Sequence, residues 1–85
     1  MGGHLVSRGS SVAFRITGPE YVRMGVVDIN GRKVRTLKQG MMLAGQYTQQ
    51  WDGKNDRGTD VPSGVYFINL RTSKGLKTQR LAILK

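Results

Sequence analysis

Cysteine is absent from this 85-residue chain, so neither a disulfide framework nor a thiolate zinc site can stabilise it, and stability must come from strand pairing and packing. Histidine occurs once, as His4, and there are only five carboxylates. No Ser-His-Asp or Cys-His set can be assembled from that inventory. There is no phosphate-cradling Gly-x-x-x-x-Gly-Lys-Ser/Thr string. No apolar run reaches the roughly 18 residues of a membrane-spanning helix, and residues 1–10 lack an apolar stretch of signal-peptide length. If the domain works outside the cell, another part of a longer precursor must carry the export signal. A chain this short buries only about 60% of the surface its unfolded form exposes, which leaves a thin core and little room for an enclosed active site. The expectation is a non-catalytic module with no cofactor. Met1, Gly2, Gly3 and His4 look vector-derived, and residues 1–10 are set aside as added residues or linker, leaving 11–85 as one domain.

Acidic charge is also scarce. Fourteen Lys and Arg against five Asp and Glu give a formal charge of +9 and a pI near 10.7, which invites a nucleic-acid or anionic-surface reading. Position tempers it, because residues 1–43 hold seven basic and two acidic side chains and residues 44–85 hold seven and three. The densest group is Arg32, Lys33, Arg35 and Lys38. Alternation along a strand prevents those four from lining up on one face. Solvated surface charge is therefore preferred to a dedicated polyanion site.

Helical periodicity is not sustained anywhere, whereas short alternating segments between glycine-bearing turns recur throughout, the rhythm of an all-β sandwich or barrel. In residues 11–17, Val12, Phe14 and Ile16 share one face. In residues 21–28, Val22, Met24 and Val26 point inward while Tyr21 and Arg23 point out. Asn30-Gly31 tolerates the positive φ angles of a two-residue hairpin turn, which would fold this strand back onto residues 33–37. Val34 and Leu37 have opposite parity, so the returning strand needs a bulge or an end near Thr36. Residues 40–45 read as a connection whose Met41 and Met42 cap the end of the core. Tyr47, Gln49 and Trp51 share a face, Tyr66, Ile68 and Leu70 another, and residues 76–84 form the last strand.

Two features outside this frame could carry function. Asp52, Asn55, Asp56 and Asp60 lie in a glycine-rich loop where oxygen ligands could hold calcium. Lys54 occupies the third position, where an EF-hand needs an oxygen, so Asx turns that bond the loop's own backbone are favoured over a metal site. Trp51, Tyr47, Tyr66 and Phe67 are the aromatics that could stack on a sugar or a base, and Trp51 and Tyr47, which share a parity beside the same loop, suit either a core wedge or a shallow stacking platform. The core is favoured, because a domain this small needs its single tryptophan for buried area.

Taken in order, the motifs add up. Val26-Val27-Asp28-Ile29-Asn30-Gly31-Arg32-Lys33-Val34-Arg35-Thr36-Leu37, then Ala44-Gly45-Gln46, then Trp51-Asp52-Gly53-Lys54-Asn55-Asp56-Arg57-Gly58 and Val61-Pro62-Ser63-Gly64-Val65-Tyr66 resemble the immunoglobulin-like domain family related to the flagellar hook-capping protein. C-terminal sorting domains of bacterial type IX secretion share this pattern. The resemblance covers roughly residues 11–85 and implies an immunoglobulin-like antiparallel β-sandwich of about six to seven strands. It further implies a C-terminal module for sorting, secretion or cell-surface attachment, placed behind a catalytic or adhesive domain of the same polypeptide. Such a module would be recognised by outer-membrane secretion or surface-attachment machinery, after passage through the periplasm of a Gram-negative-type bacterium. A chain ending at Lys85 just after a strand fits a terminal module. The Asn-Pro segment that opens sorting domains has no counterpart in residues 5–10, which keeps a hook-cap-like assembly role open. A carbohydrate-binding accessory module of a hydrolase, with a glycan or anionic surface as partner, is the other alternative, and a nucleic-acid binder is the least favoured. The motif residues carry over as scaffold: Asp28 and Gly31 at the hairpin, Trp51 in the core beside Tyr66, and Asp52, Gly53, Gly58, Pro62 and Gly64 around the loop and the strand that follows it.

Overall fold

A side chain that alternates between apolar and polar along a strand can bury one face only if a second layer covers it. The computed structural model describes the backbone of Val6–Arg8 and all of residues 11–84, and seven strands supply two such layers. They are β1 (Val6–Arg8), β2 (Ser11–Ile16), β3 (Glu20–Asp28), β4 (Lys33–Met42), β5 (Gly45–Gln50), β6 (Gly64–Thr72) and β7 (Gly75–Ile83). One antiparallel sheet runs β1-β2-β5 and the other β4-β3-β6-β7. This is the expected immunoglobulin-like sandwich. The segment set aside as linker contributes β1, whose backbone pairs with Ser11, Val12 and Ala13. Residues 1–5, with His4, residues 9–10 and Lys85 lie outside the described residues.

The core is the sum of the inward parities. Val12, Phe14 and Ile16 come from β2, Val22, Met24 and Val26 from β3, Tyr66, Ile68 and Leu70 from β6, and Leu81 from β7. Burying a side chain of this kind contributes about 1.5–3 kcal/mol.

The third sequence segment resolves its parity conflict with two bulges. Against β3, the register of β4 shifts between Met24 and Gly25 and again between Val26 and Val27, so Leu37 and Val34 have no partner across the ladder. Both pack against the core. Strict alternation would have left one of the two in water, and the paired bulges let both turn toward the core. The strand does not end near Thr36 but continues to Met42, because Gly40 pairs with Val22. The two methionines therefore separate: Met42 is buried at 8% exposure, and Met41 points outward at 67%.

The β3–β4 connection is not the two-residue turn that Asn30-Gly31 suggests. It holds four residues, and among the described residues only glycines have positive φ, with Gly31 at 82°. A two-residue type I′ turn would require Asn30 to be positive as well. Instead the Gly31 N–H donates to the Asp28 carbonyl at 2.9 Å, and the Asp28 N–H donates to the Arg32 carbonyl at 2.9 Å. The Asp28 carboxylate sets this geometry by accepting the Asn30 and Arg32 N–H groups through Oδ1, both at 2.9 Å.

Candidate functional site

The motif residues gather at one end of the sandwich, where the β3–β4 turn meets the long β5–β6 connection. Trp51 follows β5, is 1% exposed, and packs edge-on against Tyr66 with ring centroids 5.3 Å apart. Its indole N–H donates to the Lys54 carbonyl at 2.8 Å. The Tyr66 hydroxyl donates to the Pro62 carbonyl at 2.7 Å, a tyrosine corner of the kind found in immunoglobulin-like sandwiches. Both aromatics thus bury their rings and spend their polar atoms on holding the loop, which removes the desolvation cost of an unmet N–H or O–H.

The loop between them is closed on itself. Asp52 Oδ1 accepts the Lys54 N–H at 3.0 Å, and Asn55 Oδ1 accepts the N–H groups of Arg57 and Thr59, each at 3.0 Å. The Gly58 N–H donates to the Asn55 carbonyl and the Val61 N–H to the Gly53 carbonyl, both at 2.9 Å. Gly53 and Gly58 have φ of 75° and 81°, values at which an L side chain is strained.

Cross-links then tie this loop to β4. The Asp56 N–H donates to the Val34 carbonyl at 3.1 Å, Asp56 Oδ1 accepts the Thr36 N–H at 3.0 Å, and Arg35 donates from Nη1 to the Asn55 carbonyl at 3.0 Å. Arg35 also lies 3.9 Å from Asp52 and 4.0 Å from Asp56, and Lys33 lies 3.9 Å from Asp56. Lys54 Nζ donates to Asp60 Oδ1 at 2.8 Å. The ion pairs are partly or fully exposed, so each contributes little by itself; their value is that several restraints converge on one loop.

The sequence nominated Asp52, Asn55, Asp56 and Asp60 as a calcium candidate. The structure gives a side-chain oxygen of each of the four to backbone N–H groups or to a cationic side chain, and no group of three or more His, Cys, Asp or Glu placed to hold a metal occurs among the described residues. The charge states agree with fixed contacts. The Arg32 N–H holds the Asp28 carboxyl below its usual value, and the Asn30 N–H and the Arg32 charge add to the effect. The bond to Asp60 raises Lys54. At the far end of the sandwich, the Ser73 side chain lowers Glu20, and the Ser73 N–H, which donates to Glu20 Oε1 at 3.0 Å, adds to the effect. The nearest sequence signal for the bracing by Asp56, Arg35 and Thr36 was the density of charge itself, which says nothing about which strand meets which loop.

Residues 4–75 match the FlgD Ig-like domain family. Over 50 residues the chain is 48% identical to the basal-body rod modification protein FlgD of Salmonella typhimurium strain LT2 and to that of Salmonella typhi, and 36% identical to that of Escherichia coli strain K12. The aligned stretch is 59% of this chain and 22% of each of those relatives.

These similarities overturn the expected sorting, secretion or attachment module, since the matching domain is that of a flagellar protein. With it fall the outer-membrane machinery, the catalytic or adhesive neighbour and the cell-surface location by type IX export. The carbohydrate-binding and nucleic-acid readings fall on the same finding. The carbohydrate reading also meets a physical obstacle, because a sugar cannot stack on an indole that is 1% exposed with its N–H already bonded inside the protein. The hook-cap-related half of the resemblance stands: the chain belongs to the FlgD Ig-like domain family.

Proposed function

We propose that the chain is a structural assembly module, the immunoglobulin-like part of a larger flagellar hook-cap-type protein that acts outside the cytoplasm at the growing hook. The observation that carries this reading is the 48% identity over 50 residues with basal-body rod modification proteins. The geometry supports it, because the polar loop spends its carboxylates and amides on its own rigidity, as a scaffold does, rather than aiming them at a substrate. In this reading the module has no catalytic role, and its core comprises residues 11–85.

The test is a segment exchange. Replacing the corresponding segment of the Salmonella typhimurium protein with this chain is expected to restore hook assembly and swimming to a strain that lacks the native protein, whereas deleting the segment abolishes both. Correctly folded, exported chimeras that leave hooks unassembled would sink the proposal.

A further inference from the structure

The outer face of the four-stranded sheet presents side chains in rows across the strands, because residues opposite one another in adjacent strands share a face. One row places Gln39, Arg23, Arg71 and Leu76 side by side, the next Thr36, Gly25, Asn69 and Thr78, and the third Lys33, Val27, Phe67 and Arg80. No carboxylate stands in any of the three.

Arg23 and Arg71 are direct partners across β3 and β6, and both are exposed. Neither makes an ion pair or a side-chain hydrogen bond among the described residues. Like charges placed opposite one another are destabilising, so the fold gains nothing from this pairing by itself.

Beside the two arginines the sheet dips. Gly25 leaves the middle row without a side chain at that point, since a Cβ there would stand 3.0 Å from the Arg35 carbonyl, where the bulge brings β4 close. Packing therefore accounts for the glycine, and an open groove of about 290 Å³ is the consequence, lined by Arg23, Gly25, Lys38, Asn69, Arg71 and Leu76 among others. Its walls combine cationic heads, the Asn69 amide and the apolar Leu76. Guanidinium groups bind carboxylates with paired, charge-assisted N–H bonds.

We infer that this groove is a docking site for an acidic, extended segment of a protein partner, with a carboxylate seated between Arg23 and Arg71 over the Gly25 dip. Charge selects this occupant. A second copy of the chain meeting it face to face would set the same positive rows against one another. The identification of the partner as a protein rests on the assembly role proposed above; the carboxylate preference rests on the groove alone.

Titration of the isotope-labelled 85-residue chain with a hexaglutamate peptide at low salt, followed by NMR, tests the inference. Saturable amide shifts centred on Gly25, Asn69 and Leu76 are expected. R23Q/R71Q should weaken binding about fivefold or more, and R15Q, on the outer face of the other sheet, less than about twofold. If the double variant fails to fold, R71Q alone should still weaken binding by about twofold or more. Shifts spread over all basic positions, or equal losses with R15Q, would report net charge only and overturn the inference. So would an oligothymidylate of equal charge that binds the same residues as tightly as the peptide. Hexaglutamate binding by a chain that fails the segment exchange would sink the assembly reading and spare the groove; restored assembly without peptide binding would do the reverse.

Discussion

Two regions of this molecule handle charge in opposite ways. At the end of the sandwich where the β3–β4 turn meets the β5–β6 loop, Asp28, Asp52, Asp56 and Asp60 face Arg32, Lys33, Arg35 and Lys54 at 2.8–4.0 Å. On the outer face of the four-stranded sheet, Arg23 and Arg71 stand opposite each other with no carboxylate in their rows. Four of the chain's five acids serve the first region, so the net charge of +9 is expressed elsewhere. The comparison teaches that basicity here marks where acids were committed to structure, and that the uncommitted face is the one left open to a partner.

The comparison breaks most severely at Trp51. The braced end is built on a buried indole whose N–H bonds the Lys54 carbonyl. Trp51→Ala is expected to cost about 3–5 kcal/mol, a large part of the stability of a small domain. Chemical denaturation measures this directly, and a midpoint within error of the parent's would mean that the loop, not the indole, holds that end. Trp51→Phe keeps a ring against Tyr66 but loses the N–H donor, so it should fall between the two.

A smaller loss is expected at Gly31, whose φ of 82° has open space around it. With no clash to relieve, Gly31→Ala isolates the backbone cost of the left-handed region, about 1 kcal/mol. An unchanged melting temperature would mean that the turn rearranges freely, and that Asp28 rather than Gly31 determines it.

What the sequence disclosed follows from which interactions are local. Alternation exposed the inward sets of β2, β3 and β6, since period-2 burial is written residue by residue, and the clash of parity between Val34 and Leu37 announced a bulge or an early end near Thr36, of which the bulge is what forms. The position of that bulge opposite Met24 and Gly25 was not legible, because it depends on register with another strand. The Asn30-Gly31 pair misdirected the turn, as its preference was overridden by the carboxylate of Asp28, two residues upstream of Asn30. At the braced end, Asx-type bonds of Asp52 and Asn55 are short-range and readable from loop chemistry. The links from Asp56 to Thr36 and from Arg35 to Asn55 span 20 residues each, and spacing cannot reveal them. The Arg23 and Arg71 pairing was equally hidden, for it needs the β3–β6 ladder.

Acid sharpens the contrast. The Asp28 carboxyl titrates below its usual value because it accepts the Arg32 and Asn30 N–H groups. A depressed carboxylate contributes stability that is complete above its unfolded pKa and is lost as pH falls through the folded one. Stability should therefore decline below about pH 4, and Asp28→Asn, which cannot titrate, should show a shallower decline in urea midpoint. Equal slopes for the two proteins would assign the acid sensitivity to other carboxylates, of which Glu20 shares the same sign.

The smallest effect is expected where the charges are unpaired. Arg71→Gln removes one of two like charges set opposite each other in the ladder, so it should leave the melting temperature unchanged or raise it by no more than about 2 °C. Added salt should erase the gain, since screening already weakens the repulsion in the parent. Arg23→Gln should behave the same way, and the double variant should gain less than the sum of the two, because either substitution alone relieves the shared repulsion. A clear loss of stability with either one would mean that the arginines pack or bond within the fold, which would assign the open face to structure just as the acids of the loop are assigned, and would end the contrast between the two regions.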